Sequence, residues 1–259
     1  MQFLVYVMGP AGAGKSTFTA AFRDWLASQE TPASCVNMDP AVENLEYLPD
    51  VDVREYVYTR EIMEKYALGP NGAIIASMDL LLEHLSEIDA RIGELGDGYI
   101  LIDTPGQMEI FAFRKSGKYL VDLLCEKRRC ATVFLSDAVI IDRPGDLISQ
   151  LLMSASIFHR FTLPQVNVVN KVDLLSPPER ERLIGWIRHP ERLDSDIEQE
   201  KYFIRSMYQS IREYMELLPL IPVSAKRATG FSELYVSLHG IYMGGEDYER
   251  TTWLVEGKE

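Results

Sequence analysis

The sequence predicts an α/β protein built on a largely parallel central sheet, and three observations carry that prediction. Short apolar or β-branched runs alternate with longer helical patterns along the chain. Nearly all of these runs are apolar throughout, as strands are when helices cover both faces of a sheet. The first of them leads directly into a glycine-rich turn and then a helical pattern. A doubly wound arrangement of this kind puts ligands beyond the carboxyl ends of the strands.

Strands are expected near Phe3–Met8, Ser34–Met38, Tyr99–Asp103, Thr132–Leu135, Gln165–Asn170 and Leu220–Val223. The clearest helix starts after Gly69-Pro70-Asn71-Gly72 and places Ile74, Ile75, Met78, Leu81, Leu82, Leu85, Ile88 and Ile92 on one face, with Asn71 as its N-cap. A helical insertion is expected at about 176–218, interrupted by His189-Pro190 and carrying charges of both signs on a solvated face. Without repeats, low-complexity tracts or linkers, residues 1–259 read as a single domain.

The 26 basic and 39 acidic residues give a formal net charge of −13. That balance argues against nucleic acid or an anionic membrane as partner, since no counterion release is gained, yet it allows one small anion in a local positive site. Three cysteines, Cys35, Cys125 and Cys130, do not make a disulfide framework in a chain of 259 residues, and they point to a reducing compartment. The opening MQFLVYVM lacks a positive n-region and reads as a strand. No apolar run approaches the ~18–20 residues that span a bilayer. The expected location is cytoplasmic.

Gly9-Pro-Ala-Gly-Ala-Gly14-Lys15-Ser16 fits the pattern of glycine, four residues, glycine, lysine and a hydroxyl residue, between a strand and a helix. The backbone of Gly12, Ala13 and Gly14, with Lys15, Ser16 and Thr17, would cradle phosphates at a helix N-terminus, and the Ser16 hydroxyl would ligate Mg²⁺. This refines the expected fold to the three-layer sandwich of P-loop NTPases.

Asn170-Lys171-Val172-Asp173 follows the run VNVV. A carboxylate at Asp173 can accept from the guanine N1–H and 2-amine, groups that adenine does not present. Asn170 would hold the loop or contact N7, and the Lys171 stem would cover one face of the base. Ser224-Ala225-Lys226 offers backbone N–H groups for guanine O6. Between these motifs, Asp103-Thr-Pro-Gly106-Gln107-Met-Glu109 ends a buried run. Asp103 can hold Mg²⁺ through water, Gly106 N–H can meet a γ-phosphate, Gln107 can orient an attacking water, and Glu109 adds a carboxylate. In Asn37-Met38-Asp39-Pro40-Ala41, Asp39 supplies either a second water-mediated Mg²⁺ contact or a partner for that water.

In order, GPAGAGKST, NMDPA, GPNG, DTPGQMEIF, NKVD and SAK resemble the GPN-loop GTPases in a short, archaeal-like form. Met38 and Met108 stand where relatives often carry Leu or Ile. The resemblance implies an Mg²⁺-dependent, homodimeric switch that hydrolyses GTP to GDP and phosphate. It also implies that the loop Gly69-Pro70-Asn71 of one subunit reaches the nucleotide of the other. Asn71, Gln107, Glu109 and Asp39 are then the candidate catalytic residues, and Ser16, Asp39 and Asp103 the candidate metal set. An unidentified protein partner is expected to read the switch. A P-loop kinase would show an arginine-rich lid, and a nucleotide-gated binding module would change partner affinity between GDP and GTP.

Overall fold

Gln2–Met8 forms β1 because Phe3 to Met8 is an unbroken apolar run, and each of those side chains is buried. Full burial of a large apolar side chain contributes roughly 1.5–3 kcal/mol, so such a run belongs in a sheet interior. The computed structural model describes residues 1–218 and 220–244. They fall into two compact units, Met1–Thr132 and the described residues from Val133 onward.

The first unit continues with α1 (Lys15–Ser28), β2 (Ala33–Asn37), β3 (Val51–Asp52), α2 (Thr59–Tyr66), α3 (Pro70–Leu80), α4 (Leu85–Glu94), β4 (Gly98–Asp103), α5 (Met108–Ala112) and α6 (Lys115–Cys125). Its strands lie in the order β3-β2-β4-β1 and are parallel. The register sets Asp103 beside both Val7 and Asn37. Three chain exits therefore leave from one edge, which is where a parallel sheet gathers a ligand site. The two-residue β3 is an addition to the expected strands. It is too short to carry a periodicity.

Two helix expectations need correction. Gly69, in an extended conformation, is the N-cap of α3, and Pro70 occupies its first position. Proline suits that place because its φ is already helical and its missing N–H would have gone unpaired. Asn71 thus lies inside the first turn and does not cap it. The long helix is also broken, with a 3₁₀ turn at Leu81–His84 separating α3 from α4. A 3₁₀ turn has three residues per turn, so the i, i+3, i+4 pattern runs through it and conceals the break. Met78, Leu81, Leu85, Ile88 and Ile92 are buried all the same. Cys125 and Cys130 form one disulfide between the end of α6 and the next strand, where the cysteine count argues only against a disulfide framework and for a reducing compartment.

β5 (Arg129–Asp137) starts in the last residues of the first unit and continues in the second. It is followed by α7 (Pro144–Phe161), β6 (Gln165–Asn170), α8 (Pro177–Arg188), α9 (Pro190–Ile197), α10 (Tyr202–Leu217), β7 (Leu220–Pro222) and α11 (Phe231–Met243). The strand order is β5-β6-β7, with Val169 of β6 beside Pro222 of β7 in parallel register. Three helices, α8 to α10, occupy the span between β6 and β7. Leu183, Trp186, Leu193, Tyr208 and Ile211 on these helices share one core with Leu147 and Leu151 of α7 and Val169 of β6. No helix of the described residues is long and apolar enough to cross a membrane.

Candidate functional site

At the exit of β1, Gly12 and Gly14 adopt left-handed backbone conformations, with φ of 79° and 89°. Glycine is the residue that takes these without penalty, and the result is the turn that delivers Lys15 to the start of α1. Lys15 is buried. Its Nζ donates to Gly9 O at 2.9 Å, to Pro10 O at 3.1 Å and to Gly106 O at 3.4 Å. Burial lowers its pKa, and the carboxylates of Asp103, Asp39 and Glu109 act in the opposite direction.

At the exit of β2, the buried Asn37 shapes the next turn. Its Oδ1 accepts from Asp39 N at 3.0 Å, and its Nδ2 donates to Asp39 O at 3.1 Å and to Asp52 Oδ1 at 2.8 Å. Asp39 is thereby held with Oδ1 accepting from Ala41 N at 2.9 Å and Oδ2 from Gly106 N at 3.0 Å. At the exit of β4, Asp103 is buried. Burial pushes its pKa up to about 6, the Asp39 charge adds to that, and the Ser16 and Tyr47 hydroxyls and the Lys15 charge oppose it. Tyr47 donates to Asp103 Oδ2 at 3.1 Å. Asp103 Oδ1 is buried without a hydrogen bond of ordinary geometry among the described residues, although the Ser16 hydroxyl lies near the carboxylate.

Gln107 Nε2 donates to Asn71 Oδ1 at 3.3 Å, so two of the expected catalytic side chains meet within one chain. Glu109 is exposed on α5, and Ser16 and Thr17 are half-buried in the first turn of α1. Asn37 and Tyr47 have parts here that the motifs did not single out. Asn37 could have been found from its amide, which suits a turn beside Asp39. Tyr47 sits in an irregular loop and carries no pattern.

In the second unit, the motifs after β6 and β7 clasp each other because those strands are parallel and end together. Asn170 Oδ1 accepts from Ala225 N at 3.2 Å, and Ser224 Oγ donates to Asp173 Oδ1 at 2.6 Å. Lys171 is left-handed, with φ of 69°, and its Nζ pairs with Asp137 Oδ2 at 2.7 Å. The expected row of three amides is only partly open. Ser224 N donates to Thr229 O and Ala225 N to Asn170, so Lys226, which is exposed, is the member whose N–H has no such bond among the described residues. Asp173 accepts from Ser224 through Oδ1, and no bond to its Oδ2 is seen among the described residues.

A glycine loop delivering a buried lysine to a helix start, with aspartates at neighbouring strand exits, defines a P-loop nucleotide-binding protein. A family model described as "Conserved hypothetical ATP binding protein" matches residues 7–242. The chain is 35% identical to a GPN-loop GTPase of Pyrococcus abyssi over 89% of its length and 94% of that protein's. It is 29% identical to GPN-loop GTPase 1 of Dictyostelium discoideum over 95% of this chain, which spans 62% of that longer relative. The crystal structure of a GTPase in apo form from Pyrococcus abyssi superposes with a TM-score of 0.83 at 33% identity, covering 93% of this chain and 97% of that one. The chain belongs to the GPN-loop GTPase family, a class of GTP hydrolases.

Proposed function

We propose that the chain is an Mg²⁺-dependent GTPase working as a homodimeric switch. The observation that carries this is Asp103, a buried carboxylate at the strand exit beside Lys15 and Ser16, whose Oδ1 has no hydrogen bond of ordinary geometry among the described residues. An orphaned buried acceptor is costly to leave unsatisfied, and a water from a metal's shell would satisfy it. Mg²⁺ keeps several waters and takes few protein ligands. A lone hydroxyl at Ser16 with carboxylates at Asp103 and Asp39 fits that demand. When bound, Mg²⁺ supplies charge neutralisation across the phosphates.

The chain's own residues do the rest. Lys15 and the amides of Gly12, Ala13 and Gly14 bind the phosphates, and Thr17 supports them. Gly106 N–H turns from Asp39 to the γ-phosphate. Gln107 and Glu109, with Asp39, orient a water whose oxygen bonds to the γ-phosphorus as the bond to the β–γ bridging oxygen breaks. GDP leaves with that electron pair and the water's proton passes to the phosphate or solvent. Preorganised positioning and charge stabilisation are the whole of the catalysis. Asp173 selects guanine with Asn170, Lys171 and the Ser224-Ala225-Lys226 loop, which favours GTP over the ATP of the family model's description.

Asn71 stabilises the reaction from the partner subunit. The hydrogen bond from Gln107 to Asn71 in one chain supports a second reading, in which Asn71 acts in cis. We further infer residues 1–259 to be one nucleotide-binding domain with an insertion at 176–218. The setting is cytoplasmic, where GTP is supplied, with a protein partner and neither nucleic acid nor membrane bound.

Phosphate release from GTP and ATP, measured with Mg²⁺ and with chelator, tests the reading. GTP is hydrolysed in preference and only with the metal, and Asp173→Asn shifts preference toward xanthosine triphosphate. Preference for ATP, metal-independent turnover, or transfer of the γ-phosphate to an acceptor in place of water overturns it.

A further inference from the structure

The loop between β2 and β3 holds two neighbours with opposite fates: Leu48 is 86% exposed and Tyr47 7%. The loop's frame explains how that contrast is held. Its far end is pinned to β2, where Asp50 N donates to Cys35 O and Asp50 Oδ2 accepts from Cys35 N, each at 2.8 Å. Its start is pinned by Asp39 to Gly106 N. Arg54, paired with Asp52, donates through Nη1 to Val42 O at 3.1 Å. With both ends and the middle fixed, the Tyr47 ring is carried inward and its hydroxyl meets Asp103 Oδ2.

If the ring served packing alone, phenylalanine would fill the place without desolvating a hydroxyl, and Asp103 Oδ2 would lose the donor it has. The hydroxyl instead fixes Oδ2 of a carboxylate whose Oδ1, with the Ser16 hydroxyl nearby, is buried without a hydrogen bond of ordinary geometry among the described residues. A carboxylate held at Oδ2 cannot rotate without losing that bond, so Oδ1 is kept in one place. Partners of this kind orient metal-binding groups, and their removal typically costs about 10–100-fold in metal affinity or activity.

We propose that Tyr47 is a positioning residue for the metal site, fixing Asp103 through Oδ2 so that Oδ1 is the acceptor for the metal's water shell; this rests on the Mg²⁺ reading above. The test is binding of a fluorescent GTP analogue followed across a Mg²⁺ titration, with binding in chelator as baseline and the melting temperature of the metal-free protein as a fold control. Tyr47→Phe raises the Mg²⁺ midpoint roughly 10-fold, leaves the baseline affinity within about 2-fold, and adds no further shift in an Asp103→Asn background.

An unchanged midpoint in a folded Tyr47→Phe protein, or additive shifts in the double variant, overturns the proposal. If Tyr47→Phe does not fold, Tyr47→His, which keeps a ring N–H donor, is read instead. A midpoint nearer wild type than that of Asp103→Asn upholds the role, and one equal to Asp103→Asn overturns it. Binding by the unmodified protein that ignores Mg²⁺ defeats the underlying metal reading, an outcome distinct from either.

Discussion

Gln107 Nε2 donates to Asn71 Oδ1 across 3.3 Å within a single chain. The contact is possible because Pro70 takes the first helical position and Gly69 the cap, which frees the Asn71 amide from capping. Other groups suited to a γ-phosphate are also engaged internally: Gly106 N–H by Asp39, and Lys15 by the carbonyls of Gly9, Pro10 and Gly106. Nucleotide must exchange these bonds for its own. Asn71→Ala is expected to lower GTP turnover roughly 100–1,000-fold, as loss of one transition-state donor does, with GTP affinity nearly intact. Mixing Asn71→Ala subunits with subunits defective at Lys15 separates the two readings: recovered turnover shows action in trans, and none shows action in cis.

Lys15 has a double burden, desolvated by burial and held by three carbonyls. Lys15→Ala removes charge-assisted bonds of about 1.5–3 kcal/mol each, so GTP affinity is expected to fall at least ~10-fold by titration calorimetry. The metal-free protein should melt within a few degrees of the unmodified one, because the lysine's desolvation cost disappears with its hydrogen bonds. Equal GTP affinity in the two proteins would remove Lys15 from the phosphate site.

These groups were legible in the sequence to different degrees, for physical reasons. Lys15, Asp39 and Asp103 follow buried apolar runs, and a parallel sheet gathers the ends of such runs, so strand and site were read together. Val51–Asp52 is too short for periodicity. The cap at Gly69 was missed because Asn71 is the better side-chain cap, whereas Pro70 fixes the helix start by backbone geometry. Tyr47 lies in an irregular loop, and only the three-dimensional path brings it to Asp103. The Cys125 to Cys130 disulfide depends on the path from α6 into β5, which five residues of spacing do not reveal.

The bond from Ser224 Oγ to Asp173 Oδ1 joins two loops that each follow a parallel strand. Ser224→Ala should loosen Asp173 while leaving its charge and its Oδ2. A hydrogen bond to a charged group contributes about 1.5–3 kcal/mol, and part of that remains when water replaces the hydroxyl. GTP affinity is expected to fall about 5–10-fold, with affinity for inorganic triphosphate unchanged because that ligand has no base. A parallel loss for triphosphate would show that the substitution disturbs more than base recognition.

Asp103 makes stability depend on pH in the metal-free protein. Its carboxyl is pushed up to about 6 in the folded chain from an ordinary 3.8, chiefly by burial. The folded state therefore holds this proton more tightly than the unfolded state, and between about pH 4 and 6 stability from this group falls as pH rises. Above pH 6 the buried charge is present at full cost, on the order of 3 kcal/mol for a gap of about two pH units. Asp103→Asn keeps an acceptor for Tyr47 and has no charge to bury. Urea unfolding in chelator should show the variant more stable than the unmodified protein at pH 8, with the gain shrinking toward zero near pH 4. Taking the difference between the two proteins cancels the other titrating groups. A gain that is the same at both pH values would mean that packing, and not the buried charge of Asp103, sets the difference.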